Sequence, residues 1–220
     1  MELRLRAKEG ITDLRYLLSR GYNREGALRL IGDKYQLDAP ERSLLFRCVY
    51  DPATVQGIRS RIHPVEDLAA AQVTVDGYNT LITIESFLLG LSVVLSDDGM
   101  VRDISEVHRK HRITPATAEA LRKIANLLSS VQSSRAFFLY DAQVSRSGEL
   151  CEKTRKILSE LGVEVIVQTT RNADRDVLRS GGFICSSDYA LISKAEKVVD
   201  LAGTIILRAK YQNLVTLKTL

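Results

Sequence analysis

From Gln72 onward the chain alternates short, nearly continuous apolar runs with stretches of helical period, and this alternation restricts the fold more than any other feature. Residues 72–75, 136–140, 163–167 and 183–185 are β-rich runs. Residues 79–89, 115–128, 147–161, 173–178 and 189–195 carry apolar side chains at helical spacing between them. Strands that are apolar on both faces and separated by helices belong to parallel sheets covered on both sides. The expected fold class is therefore α/β, a mostly parallel sheet flanked by helices. Residues 198–199 and 204–207 are also β-rich and extend the expected sheet. Residues 92–96 and Met100-Val101 flank Asp97-Asp98-Gly99, and Asp-Gly between apolar runs predicts a hairpin. It breaks the rhythm and reads as an insertion at the sheet edge.

The first third of the chain reads differently. Ile11, Leu14, Leu17 and Leu18 share a helical face, and Gly21 stops that helix. Asn23 is a candidate cap for a second helix carrying Ala27, Leu28, Leu30 and Ile31. Asp38, Pro40 and Glu41 supply a cap, an early proline and an acidic first turn for a third helix through Leu44, Leu45 and Val49. Asp51-Pro52 opens a fourth, which ends before His63-Pro64. The expected organisation is a small all-α domain over residues 1–66 and an α/β domain over 70–220, with the hairpin insertion near 92–103.

Charge follows this division. Residues 1–62 hold 12 Lys/Arg against 8 Asp/Glu, while the remaining 158 residues hold 19 of each. All the excess positive charge lies in the helical segment, which suits either a polyanion-binding appendage or a solvated helical surface. No apolar run reaches the ~18 residues of a membrane helix. Residues 1–10 lack the apolar stretch of a signal peptide. A soluble, cytoplasmic protein is expected. Cys48, Cys151 and Cys185 have no paired spacing, so zinc ribbons are excluded and the three read as small buried hydrophobes.

Acidic residues recur where these strands end. Asp76 follows residues 72–75, Asp141 follows 136–140, Asp188 follows 183–187, and Asp174 lies in the turn after 163–167. In a parallel sheet the C-terminal ends of all strands share one edge, where ligand sites form. Each Asp alone could simply cap the next helix. Together they would form a carboxylate cluster that needs cations, and hard oxygen-preferring ions such as Mg²⁺ or Mn²⁺ are the natural occupants. The associated chemistry is phosphodiester hydrolysis.

The stretch Val75-Asp76-Gly77-Tyr78-Asn79 resembles the opening motif of PIN-like nucleases of the NYN branch. Ala173-Asp174 and Ser186-Ser187-Asp188 resemble later motifs of that branch, and Asp141 takes the place of its middle acid. The resemblance covers roughly residues 72–207. More narrowly, residues 97–103 and 144–150 look like an uncharacterised prokaryotic family that joins a helical N-terminal domain to a PIN-like domain. The resemblance implies a Rossmannoid sheet and metal ligation by Asp76, Asp141, Asp174 and Asp188. It places Asn79 beside the metal, with Ser187 as a further substrate contact. It also implies RNA as the main partner, with DNA as the lesser one. PIN-like domains often form homodimers, although nothing here indicates an interface.

Several further residues are candidates. Glu85 stands where the family often carries another acid, but its spacing also suits a solvent face. Asp98 is either an additional ligand or a turn residue. Ser145, Arg146 and Ser147 precede the helix to residue 161 and could offer amides and a guanidinium to a phosphate, or Ser147 could act as a plain cap. His108 and His111 lie among Arg109, Lys110 and Arg112, which would repel a cation, so this stretch reads as a phosphate-contacting loop or a solvated surface. The tyrosines are mostly isolated in sequence, and no stacking platform is visible. Two readings remain besides a metal-dependent nuclease. One is a non-catalytic RNA-binding or assembly scaffold. The other is a regulatory partner docking through the face that bears Arg15, Arg24 and Arg29.

Overall fold

The computed structural model describes residues 4–104, 111–210 and 214–217. Its centre is a five-stranded sheet in the order β5-β4-β1-β6-β7. These strands are β1 (Gln72–Asp76), β4 (Arg135–Asp141), β5 (Val165–Thr170), β6 (Phe183–Cys185) and β7 (Lys197–Val198). Every pairing between them is parallel. The α/β expectation is met, and the apolar runs explain why.

Alternate residues of each strand feed two cores. Val73, Val75, Ala136, Phe138, Tyr140, Phe183 and Cys185 point to one face. There they meet α5 (Gly77–Leu88), α6 (Pro115–Ser130), α7 (Ser147–Glu160) and α10 (Leu201–Arg208). Leu139, Ile184 and Val198 point to the other face, where they pack with Ile58, Val177, Leu191 and Ile192. Those residues come from α4 (Pro52–Arg59), α8 (Ala173–Arg179) and α9 (Tyr189–Ile192). Because both faces are covered, the inner strands β1, β4 and β6 bury residues at consecutive positions, whereas edge strand β5 exposes Ile166 and turns polar after Val167.

Residues 204–207, expected as strand, lie inside helix α10. Asp200 caps it by accepting from Gly203 N at 2.7 Å, and Ile206 is fully buried against the hairpin strands. The cap and the tertiary packing override the β-propensity of Thr204, Ile205 and Ile206.

The Asp-Gly hairpin is present as β2 (Val93–Leu95) and β3 (Val101–Asp103). It does not extend the edge of the main sheet. It forms a separate three-stranded sheet with β8 (Leu214–Thr216), which pairs parallel to β2.

Helix α1 (Leu5–Ser19) carries the expected apolar face, and α2 (Arg24–Lys34) and α3 (Ala39–Cys48) start where the sequence signals them. Asn23 accepts from Gly26 N, Asp38 and Glu41 form a reciprocal capping box, and Asp51 accepts from Thr54 N to start α4. Their core includes Val94, Ile104 and Leu217 from the hairpin region and the chain's last described strand. Arg15 of α1 pairs with Asp97 at 2.5 Å, and Asp97 also accepts from Tyr50 N at 3.1 Å. The helices are thereby seated on the hairpin, and the hairpin on the α/β domain.

Gly77 opens α5 directly after β1. A Cβ at this position would run into the Tyr140 ring on the neighbouring strand. The glycine therefore lets the first helix start tightly beside the end of β4. Gly77→Ala should lower stability by about 1–3 kcal/mol, the usual cost of forcing a group into a packed core. Urea denaturation measures this; an unchanged midpoint would mean that Tyr140 moves aside freely.

Candidate functional site

Sheet order locates the site. The chain winds outward from β1 through β4 to β5, then crosses back to β6 on the other side of β1. The winding direction reverses between β1 and β6, and open α/β sheets bind ligands outside the strand ends at such a reversal. Asp76 ends β1, and Ser186-Ser187-Asp188 follows β6.

The two segments are bonded across the reversal. Ser186 Oγ donates to Asp76 Oδ2 at 2.9 Å and accepts from Asp188 N at 3.0 Å. Asn79 Oδ1 accepts from both Ser187 N, at 2.8 Å, and Ser187 Oγ, at 3.0 Å. The resemblance places Asn79 beside the metal and Ser187 against the substrate; here both line the cleft, and they are bonded to each other. Asn79 thereby positions the loop that carries Asp188.

A cleft of about 1110 Å³ opens at this edge, and Asp76, Asp141, Asp174 and Asp188 all line it. Asp76 is buried, whereas the other three are partly or largely exposed. Burial pushes the Asp76 carboxyl up to about 7. The Ser186 hydroxyl opposes this, and the charges of Asp188 and Asp174 add to it. The cap reading also has support. Asp188 accepts from Ala190 N at 2.8 Å at the start of α9, whereas Asp141 accepts from Gln143 N at 2.8 Å in a local turn and caps no helix. Asp76 occupies the cap position of α5 but makes no side-chain cap bond. The Asp188 and Asp141 bonds both use Oδ1, and both residues line the cleft.

The donor set is oxygen-rich, which suits Mg²⁺ or Mn²⁺. Among the described residues, no three His, Cys, Asp or Glu side chains stand together closely enough to hold a metal ion by themselves. A complete protein cage is therefore absent. The arrangement fits a cation held by one or two carboxylates and otherwise by water and substrate phosphate, the usual habit of Mg²⁺.

Other sequence candidates lie elsewhere. Glu85 is buried between α5 and α6, accepting from Thr117 Oγ1 and pairing with His111 Nε2 at 2.8 Å. It is buried from solvent and is not among the residues that line the cleft. His111 is likewise buried rather than solvated, and its ring meets Tyr78 edge-on at 5.5 Å. Residues 108–110 fall outside the described segments. Asp98 is buried in a bidentate pair with Arg102 and also accepts from Met100 N and Ser96 Oγ. It is both a turn residue and the partner of a buried cation, and is not among the cleft-lining acids. Ser145 and Arg146 are exposed, and neither they nor the buried Ser147 line the cleft. Arg146, with φ at 64°, takes the cap position of α7 and pairs with Glu149 at 2.7 Å. Ser147 is the first helical residue and does not cap.

Residues that the sequence did not single out complete the cleft. Arg102 donates Nε to the Ser187 carbonyl at 2.7 Å, so the hairpin reaches the site loop. The opposite wall is built by the N-terminal helices, through Arg24, Phe46, Arg47 and Tyr50. Arg171, from the loop after β5, and Tyr189, at the start of α9, also line the cleft. The excess positive charge of residues 1–62, and Arg24 on the candidate docking face, were the signals available for these residues. Of the face named for regulatory docking, Arg15 is paired with Asp97, Arg24 lines the cleft and Arg29 is exposed, so it is not an apolar face.

Residues 65–204 match the family described as Domain of unknown function (DUF5616), and residues 7–61 match one described as Protein of unknown function (DUF434). A protein of Methanocaldococcus jannaschii, described as Uncharacterized protein MJ0935, is 29% identical over 203 residues. The match spans 91% of this chain and 95% of that protein. No solved structure matches the chain. Among the described residues, no helix is long and apolar enough to cross a membrane.

Proposed function

For a chain that belongs to the family described as Domain of unknown function (DUF5616), we propose a divalent-cation-dependent nuclease of PIN-like type acting on RNA. The observation that carries this reading is the convergence of Asp76, Asp141, Asp174 and Asp188 on one cleft at the point where the sheet winding reverses. Mg²⁺ or Mn²⁺ would neutralise the phosphate and activate the attacking water when bound. Asp76, with its neighbour Asp188, would hold the cation. Ser186 orients Asp76, and Asn79 sets the loop of Asp188. Arg171 lines the cleft and would attract a phosphate.

The test uses the full chain with end-labelled RNA and DNA in Mg²⁺, in Mn²⁺ and in EDTA. Cleavage of RNA that EDTA abolishes, and that Asp188→Asn slows by about a hundredfold or more, is the expected result. Intact RNA and DNA under both cations would end the nuclease reading.

A second reading, a non-catalytic RNA-binding scaffold, draws on the absence of a preformed three-ligand cage among the described residues. Retained RNA binding without any Mn²⁺ uptake in calorimetry would select it.

A further inference from the structure

The part of the cleft lining nearest Tyr189 has a composition of its own. Arg24 lies over the Tyr50 ring at 4.6 Å and over the Phe46 ring at 5.9 Å. Tyr50 in turn stacks on Tyr189, with ring centres 5.3 Å apart and an interplanar angle of 21°. Arg102 sits 5.3 Å from the centre of the Tyr50 ring. A column of rings and guanidinium groups, in the order Phe46, Arg24, Tyr50 and Tyr189, thus lines the cleft. Its inner member, Tyr50, is buried, but its outer members are open: Phe46 is 59% exposed and Tyr189 is 41% exposed. Arg24 donates to two backbone carbonyls, Val49 O at 2.8 Å and Phe46 O. These bonds hold the side chain in place without cancelling its charge. Arg47 and Arg171 lie on the same cleft. The tyrosines that look isolated in sequence are brought together only in the folded chain, and the platform not visible there exists.

We propose that this column is a base-stacking subsite, formed by Phe46, Tyr189 and the Arg24–Tyr50 pair between them, that grips single-stranded RNA beside the acidic edge. The identification of RNA rests on the nuclease reading of that edge. The single-stranded requirement rests on the column itself. An aromatic face at the wall accepts a base only when the base is unstacked, whereas a duplex buries its base faces and presents phosphates. Charge is complementary along the cleft: the arginines line the wall that would follow the phosphates, and the carboxylates line the edge where a cation would meet one of them. The N-terminal helices then serve as half of the binding cleft. The two open rings stand on different parts of the chain, Phe46 on α3 and Tyr189 on α9, so a strand held on both would bridge the helical region and the sheet.

The experiment is fluorescence anisotropy of the full chain with a labelled 12-nucleotide single-stranded RNA. Ca²⁺ replaces Mg²⁺, and the probe is checked on a gel to be intact. Phe46→Ala and Tyr189→Ala should each weaken binding roughly ten- to hundredfold, the range expected for the loss of one base–aromatic stack. Phe46→Trp should bind within about threefold of the unaltered protein, since any aromatic face serves. The same sequence as a duplex should bind at least tenfold more weakly than the single strand. Unchanged affinity in both alanine variants, equal affinity for the duplex, or no binding of the single strand would each overturn the subsite. Failure of the nuclease reading is separate: no cleavage, with binding still sensitive to Phe46→Ala, leaves the subsite standing on a scaffold. Cleavage lost in Asp188→Asn, with binding indifferent to Phe46→Ala and Tyr189→Ala, does the reverse.

Discussion

Asp76→Asn should abolish cation-dependent RNA cleavage, with a loss of about three orders of magnitude or more, and should at the same time stabilise the cation-free protein at pH 8. The first effect follows from removing a charged ligand at the centre of the acidic edge. The second follows from burial. The Asp76 carboxyl is held at about 7, far above the ordinary carboxylate range, because its charged form is desolvated and faces Asp188 and Asp174. A group whose folded pKa is raised adds stability below its unfolded pKa and loses that contribution as pH rises through the folded value. Metal-free protein should therefore lose stability between about pH 4 and pH 7, with up to about 4 kcal/mol traceable to this one carboxyl. Asp200, a buried acid held at about 6, adds a loss of the same sign. Asparagine at position 76 keeps an oxygen to accept from Ser186 and carries no charge, so the variant's stability should vary less across that range. Mg²⁺ should offset the loss in the unaltered protein only. Thermal melts at pH 5 and pH 8, with and without Mg²⁺, measure this; parallel curves for protein and variant would refute the burial account. A variant that still cleaves at full rate would remove Asp76 from the chemistry.

Asp98→Ala should destabilise the protein by about 3–5 kcal/mol, the cost of leaving a buried cation unpaired. Asp98 and Arg102 are each about 1% exposed, and their bond is bidentate. Burial by itself would raise the Asp98 carboxyl, but the Arg102 guanidinium outweighs it and the net shift is downward. Its contribution is thus present above the ordinary carboxylate pKa and is lost in acid as pH falls through the lowered folded value. The same Arg102 donates to the Ser187 carbonyl, so an unpaired guanidinium should also loosen the loop that carries Asp188. Chemical denaturation gives the first quantity, and RNA cleavage or binding gives the second. Replacing both partners, Asp98→Leu with Arg102→Met, should recover most of the stability but not the bond to Ser187. A midpoint unchanged in Asp98→Ala would show that water reaches the pair.

The parts of the fold that were legible in advance depend on local pattern. Continuous apolar runs marked β1, β4, β5 and β6, and short polar caps at Asn23, Asp38 and Asp51 marked helix starts. The acids of the cleft were legible for the same reason: Asp76 and Asp141 end their strands, and Asp174 and Asp188 lie just beyond theirs, at an edge that parallel strands must share. Residues 204–207 misled because β-branched side chains carry only a weak preference, which the Asp200 cap and burial against the hairpin outweigh.

The candidates that moved away from the cleft were decided by contacts between distant segments. Glu85 became a partner of His111 and Thr117 through the crossing of α5 and α6. Arg102, fully buried and bonded to the site loop, carried no local mark of that role. The ring column was equally hidden, since Arg24 meets Phe46 and Tyr50, and Tyr50 meets Tyr189, only in the folded chain. The sequence by itself determined that a parallel sheet would form and that acids would gather at its C-terminal edge, because period and strand polarity are properties of neighbouring residues. Only the tertiary structure decided which acids face the cleft and what stands opposite them, because side-chain desolvation and pairing are set by whichever distant surface is packed against them.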